Sequence, residues 1–362
     1  MIYSDEGQLK TTYAADMVIF PLAQDRTLFA ILMLLAFVGI PALALAGIPP
    51  FHADYIFKAI LTPFLILSLA ALGLNILVGY CGQISLGAGA FMAVGAYAAF
   101  NFASRIPELP VLIAILLGGG VAAAVGVCFG VPSLRIKGLY LAVATLAAQF
   151  FFDWLFLRVR WFTQDSPSGS VSAPKLNVFG WHADSAVERY LLVLSIIVVL
   201  AALAKNLVRS DIGRQWMAVR DMDLAAEIIG IRPVRAKLTA FAVSSFIIGV
   251  AGALWAFVNL GSWEPSTFSI DRSLQILFMV IVGGLGSILG CFLGAAFVLL
   301  LPIMLDIVPG ALGMPLSTDT VSNMTMFLFG ALIVFFLVVE PHGLARLWVI
   351  LKEKLKIWPF PY

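Results

Sequence analysis

Residues 273–305 read SLQILFMVIVGGLGSILGCFLGAAFVLLLPIML, an apolar run without a single charged side chain. At 1.5 Å per residue, a straight helix of that length would cover about 50 Å, well beyond the roughly 30 Å of a bilayer's hydrocarbon core. Its middle holds Gly283, Gly284, Leu285, Gly286 and Ser287. Each glycine costs a helix interior roughly 1 kcal/mol. The run therefore predicts a broken or re-entrant pair of helices inside a membrane, and that reading decides the fold class.

The rest of the chain agrees. Of its 362 residues 62% are hydrophobic and 12% charged, whereas a soluble domain carries about 25% charged residues to face water. Further apolar runs lie at 28–48, 59–79, 88–104, 110–131, 139–157, 190–207, 238–260 and 323–340. The expected fold is all-α, a polytopic transmembrane bundle of about 9–10 spans. A polar segment, 1–27, precedes it; the transmembrane part covers 28–345, and a basic tail, 346–362, follows. The long polar leader argues for an uncleaved first helix, although Ala42 and Ala44 imitate a cleavage site. The three cysteines, Cys81, Cys128 and Cys291, show no CxxC spacing, so buried free thiols are expected.

Orientation follows from basic residues near the spans. The 205–237 loop holds Lys205, Arg209, Arg214, Arg220, Arg232, Arg235 and Lys237, and the tail adds Arg346, Lys352, Lys354 and Lys356. Segment 306–322 has two aspartates and no basic residue. These counts put both termini and the 132–138 and 205–237 loops in the cytoplasm, with 158–189, 261–272 and 306–322 outside. The assignments agree only if 273–305 crosses twice or re-enters.

Several residues stand out as candidates for function. Small residues recur every fourth position as Gly118, Ala122, Gly126 and Gly130, as Ser245, Gly249 and Ala253, and as Gly286, Gly290 and Gly294. Such stripes let helix backbones approach closely, and they fit packing in any polytopic protein. Between Asn75 and Gly89, Asn75, Gln83 and Ser85 stand with glycines between two apolar runs. That pattern suits either a cytoplasmic turn or an interrupted helix lining a substrate pathway. Thr145, Gln149 and Asp153 share one helical stripe. Asp153 is either an intramembrane acid or an interfacial one. In the cytoplasmic loop, Asp221 or Asp223 can cap a helix, Gly230 can close it, and Pro233 blocks its continuation. The product is a helix of about two turns with Leu224 and Ile228 on one face, too short to stand alone. It needs a surface to dock on, either a partner protein or the lipid.

Some chemistry is excluded. The chain has no G-x-x-x-x-G-K-[ST] phosphate loop, no HExxH and no G-x-S-x-G elbow, and His52, His182 and His342 lie far apart. Neither a catalytic constellation nor a metal-ligand set is expected.

Taken in order, several blocks resemble the M-type permease of branched-chain amino acid importers, within the ATP-binding-cassette superfamily. They are Leu74 to Gly79 with Gly82 to Gly87, Gly138 to Ala142 with Thr145-Leu146, and Gly213-Arg214. Ala225-Ala226-Glu227 with Gly230-Ile231, Gly283 to Ser287 with Gly290 and Gly294-Ala295, and Pro341 to Leu344 complete the series. Ala88 departs from the family, which commonly has a polar residue there. The resemblance implies a multi-pass protein of the bacterial inner membrane that imports branched-chain amino acids. Related permeases carry urea, short amides or aromatic acids, and an ion-coupled secondary transporter is the competing reading.

The implied partners are a second homologous permease in a heterodimer, two cytoplasmic ATPases, a periplasmic substrate-binding protein and the lipid bilayer, with no nucleic acid. ATP and Mg would sit on the ATPases, leaving this chain without a cofactor. The resemblance also implies that Asp223, Leu224, Ala225, Ala226, Glu227, Ile228 and Gly230 dock on an ATPase, with Arg214 and Arg220 as flanking contacts.

Overall fold

The computed structural model describes residues 23–45, 55–133, 139–166, 168–174, 176–178, 181–182, 185–311, 318–339 and 343–357. Helix α1 (Ala23–Leu34) continues through a π-helical stretch, Leu35–Gly39, into Ile40–Leu45. Helix α2 (Thr62–Asn75) is entered through Ile56–Leu61 and left through Ile76–Tyr80, both π-helical. Then come α3 (Ala88–Arg105), α4 (Val111–Ser133) and α5 (Leu139–Arg158). After an excursion containing β1 (Val171–Ser172), β2 (Asn177–Val178) and β3 (Trp181–His182), α6 (Ala186–Arg209) returns across the bundle. A capping box of Ser185 and Glu188 starts α6, four residues before the sequence pattern placed its span.

Two short helices follow, α7 (Asp211–Asp221) and α8 (Asp223–Ile228). Helix α9 (Pro233–Leu254) opens on proline, whose fixed φ and missing N–H suit a first turn. It runs on as the π-helical Trp255–Leu260 into β4 (Ser262–Trp263). The last helices are α10 (Ile270–Gly283), α11 (Ile288–Ala311), α12 (Thr318–Val339) and α13 (Gly343–Ile357). The long apolar run is thus broken: α10 ends at Gly284, whose φ of 113° lies outside the range of other L-residues, and α11 folds back on it. The basic tail begins inside α13, which packs on α10 and α11. Residues 134–138 of the predicted turn and part of 306–322 lie outside the described residues; 132–133 still belong to α4.

Among the described residues eight helices are long and apolar enough to cross a membrane, fewer than the 9–10 spans expected. Helix α3 falls short on apolarity because it is rich in Ala and Gly and carries Asn101. It is nonetheless almost wholly buried. A helix surrounded by protein needs no lipid-compatible surface, so hydropathy undercounts it. The window of Ile56–Tyr80 is 83% buried, as is that of Pro233–Leu260, whereas that of Arg26–Ala44 is only 6% buried. Helices α2, α3 and α9 therefore form the centre, and α1 lies at the rim.

Small residues make the centre close-packed. Ala122 of α4 touches Gly249 of α9, Gly126 faces Ser245, and Gly118 lies against the backbone of Gly95. In the α10–α11 hairpin, Gly290 meets Gly283 and Gly294 meets the carbonyl of Met279. Gly286, read from sequence as part of a helical stripe, instead sits in the hairpin turn with φ 74°. One cysteine also departs from expectation: Cys81 and Cys291 are buried, but Cys128 is exposed on the outside of α4.

The two ends of the bundle differ. At one end β1 pairs antiparallel with β4, matching Val171 to Trp263, and Tyr97 Oη donates to the Gly169 carbonyl at 2.9 Å. This brings Val171–Ser172 and Ser262–Trp263, from two loops expected on one side, to the same end. At the other end lie α7, α8, the α2–α3 linker and the α10–α11 turn.

Candidate functional site

At that second end, α7 is seated firmly. Trp216 is fully buried, and its indole Nε1 donates to Thr239 Oγ1 of α9 at 3.0 Å. Arg220 Nη1 donates to the Gly79 carbonyl at 3.0 Å, at the foot of α2. Its aliphatic stem lies against Gly82, and its guanidinium also pairs with Asp221 at 2.9 Å. The sequence made Arg220 a flanking contact to an ATPase; in the structure it also ties α7 to the end of α2 and the linker after it. Arg214 is exposed and pairs with Asp211 on its own helix.

Helix α8 hangs from this platform. Neither Asp221 nor Asp223 caps it; the N-cap is Met222, and Asp223 instead forms an ion pair with Lys237 at 2.6 Å. That pair is largely shielded, at 28% and 15% side-chain exposure, and it anchors the front of α8 to α9. The back is closed by Gly230, with φ 90°. Gly230 N donates to the Glu227 carbonyl and Ile231 N to that of Ala226, both at 3.0 Å, the paired bonds of a Schellman cap.

Only Ala226 of α8 is buried. Leu224 is 68% exposed, Ile228 86% and Ile229 72%. A helix under two turns has little stability of its own, and an apolar face turned to water lowers it further. The arrangement spends anchoring interactions to hold that face outward. Ala225 and Glu227 are exposed beside it, with Gly230, Arg232 and Arg235 lining an adjacent open depression.

The second group of polar residues lies inside the bundle. Residues 81–87 are non-helical, and α3 begins at Ala88 beside α5. Thr145 and Gln149 stand six and ten residues into α5, or about 9 and 15 Å along it. The first turn of α3 therefore starts deep in the bundle, where its free N–H groups have no water to bond. Side chains supply the partners. Leu86 N donates to Thr145 Oγ1 at 2.9 Å, Gly89 N to Ser273 Oγ at 2.7 Å, and Ala90 N to Gln149 Oε1 at 2.6 Å. Gln149 also accepts from Ser273 Oγ and donates to the Phe268 carbonyl and to Asp153 Oδ1, at 2.9, 2.7 and 3.1 Å. One amide thus joins α3, α5, α10 and the turn before α10. Ser85 Oγ accepts from Gly87 N at 3.4 Å.

Asn75 does comparable work at the α10–α11 turn. Its Oδ1 accepts from Gly286 N at 2.9 Å, and its Nδ2 donates to the Ser287 carbonyl at 3.0 Å. Gln83 is buried, and its Oε1 has no partner among the described residues. The structure therefore sets Thr145 and Gln149 against 86–90, bonds Asp153 to Gln149, leaves Ser85 on Gly87, holds Asn75 apart at the turn, and uses most of these groups to satisfy backbone. Ser273, Trp216 and Lys237 were missed in the sequence, since each takes its partner from another helix that no local spacing connects to it. Among the described residues no group of three His, Cys, Asp or Glu could hold a metal ion.

Comparison with known proteins bears on this geometry. Residues 56–337 match the model of a family described as branched-chain amino acid transport system, permease component. The high-affinity branched-chain amino acid transport system permease protein LivM of Salmonella typhimurium is 31% identical over 308 residues, spanning 79% of this chain and 69% of the relative. The protein of the same name from Escherichia coli is 30% identical over 325 residues, spanning 83% and 73%. A probable branched-chain amino acid transport permease protein LivM from Methanocaldococcus jannaschii is 25% identical over 241 residues. No solved structure matches the chain.

Proposed function

The chain belongs to the family of branched-chain amino acid transport permeases, and from that premise we propose that it is one of two paired permeases in an importer of leucine, isoleucine and valine. As a permease component of an ATP-binding-cassette system it is not itself the catalyst; such a system generally pairs with ATPases and a binding protein. In our reading a homologous permease completes the pathway, a soluble binding protein outside the cell delivers cargo, and two ATPases dock at the basic, cytoplasmic end.

The observation that carries this reading is the outward apolar face of α8. Leu224, Ile228 and Ile229 are more than two-thirds exposed on a helix held by the Asp223–Lys237 pair and the Gly230 cap. Apolar surface of this kind marks a docking contact, and in our reading the partner is a protein. Movement imposed there by an ATPase has two stiff routes into the membrane: Trp216 to Thr239 on α9, and Arg220 to the Gly79 carbonyl under α2. Both α2 and α9 belong to the buried centre, so a tilt of the platform would shift the helices that bound the pathway. A secondary transporter would need no such platform.

The test is Ile228→Asp with Leu224→Asp, which places two charges on the face without touching the core. Uptake of radiolabelled leucine by the assembled complex should fall to background while the amount of this chain in the membrane stays unchanged. Normal uptake would show that α8 is not the coupling element.

A further inference from the structure

Arg272, in the first turn of α10, is a cation that has no acid partner among the described residues. It is the third residue of α10, next to Ser273, which bonds Gln149 about halfway along α5. Its backbone is thus placed well inside the bundle. Its Cζ lies 4.5 Å from the ring centroid of Trp255, and its Nη1 donates to Gln275 Oε1 at 2.6 Å. Among the described residues no carboxylate lies within ion-pair distance of it. A guanidinium has five donors, so most of its hydrogen-bonding capacity faces no protein acceptor. The indole Nε1 of Trp255, beneath it, is also buried with no acceptor among the described residues.

Arg105 shows the contrast. It too lies over a tryptophan, at 3.8 Å from the Trp161 ring, but it ends α3 in an exposed position and donates to the Trp161 carbonyl. Water can solvate Arg105. A cation inside a membrane bundle is expensive unless it meets an anion or a water-filled path, and it marks a functional position.

We infer that Arg272, backed by Trp255 and steadied by Gln275, is a carboxylate-binding station on the translocation route, and that it takes the α-carboxylate of the amino-acid cargo. The planar fork of arginine matches a carboxylate with two parallel hydrogen bonds. The stacked indole and the Gln275 amide fix the fork's plane, so little side-chain entropy remains to be lost on binding. The inference rests on the transport function proposed above.

The experiment uses the whole complex in proteoliposomes, with wild type, Arg272→Gln and Arg272→Lys compared for ATP-driven uptake of radiolabelled leucine and for co-purification of the second permease. Loss of a charge-assisted bond corresponds to a drop of about ten- to a hundredfold. We expect that drop for Arg272→Gln, clear recovery in Arg272→Lys, and an unchanged amount of second permease in all three. Wild-type uptake by Arg272→Gln, or a lysine variant no better than the glutamine one, would overturn the inference. Loss of the second permease from Arg272→Gln would also overturn it, because the charge would then serve an acid of the partner chain. A wild-type complex that accumulates no leucine would overturn the transport function itself, and this inference with it.

Discussion

Replacing Gln149 by leucine should loosen the first turn of α3, and the size of the effect follows from four hydrogen bonds. Gln149 accepts from Ala90 N and Ser273 Oγ and donates to the Phe268 carbonyl and Asp153 Oδ1. Leucine fills similar volume and makes none of them. Side-chain hydrogen bonds inside membrane proteins average about 0.6 kcal/mol, so four come to about 2.4 kcal/mol. Two of the abandoned partners are backbone groups in a buried region, which sets this as the lower part of a range reaching about 5 kcal/mol. Read as a local opening equilibrium, 2.4 kcal/mol makes the amides of 86–90 exchange about fiftyfold faster. Thr145→Val removes the acceptor for Leu86 N, together with the hydroxyl's own bond to the Ala142 carbonyl, and should raise exchange at Leu86 roughly fivefold. Hydrogen exchange on the complex in lipid nanodiscs, read on a peptide covering 84–92, measures both. Unchanged protection in Gln149→Leu would refute the argument that side chains of α5 and α10 serve as the cap of α3.

Other expected outcomes concern the basic end and the hairpin. Gly230→Ala forces a Cβ onto a residue at φ 90°; open space around it leaves only backbone strain, about 1 kcal/mol, seen as faster exchange confined to 224–231. Arg220→Gln removes the bond to the Gly79 carbonyl and should lower uptake while the ATPases still co-purify, because the α8 face proposed for their docking is untouched. Gly294→Leu would drive a side chain into the Met279 carbonyl and splay α10 from α11, lowering the melting temperature of the purified complex far more than Gly330→Leu, where surrounding space is open.

Much of this was legible in the sequence because it is written in local patterns. The absence of charge over 273–305 and the glycines at its middle required a break, and the break falls at Gly284. Basic residues sorted the loops between two ends, and Gly230 followed by Pro233 marked the close of a short helix. What the sequence hid were pairings between residues far apart in the chain. Gln149 looked like a pathway residue because an amide on an apolar helix is unusual; its role depends on Ala90, Phe268 and Ser273, which no spacing connects to it. Asp223 looked like a cap, but Lys237 offers a full charge within 2.6 Å, a stronger partner than a backbone amide in this half-shielded place. Arg220 is one of several arginines in a basic loop, and nothing nearby in the sequence shows that it turns inward to Gly79. Helix α3 was found by pattern, yet its weak apolarity gave no sign that it lies at the centre.

The most direct measurement is photocrosslinking from the face of α8. A photoreactive amino acid at position 228, 86% exposed in the isolated chain, would be activated in membranes containing the assembled transporter, with position 199 on the exposed side of α6 as control. We expect a crosslink from 228 to the ATPase subunit that changes in yield when ATP is added, and none from 199. Crosslinks from 228 to lipid alone, with uptake intact, would contradict the claim that this helix couples the permease to its motor.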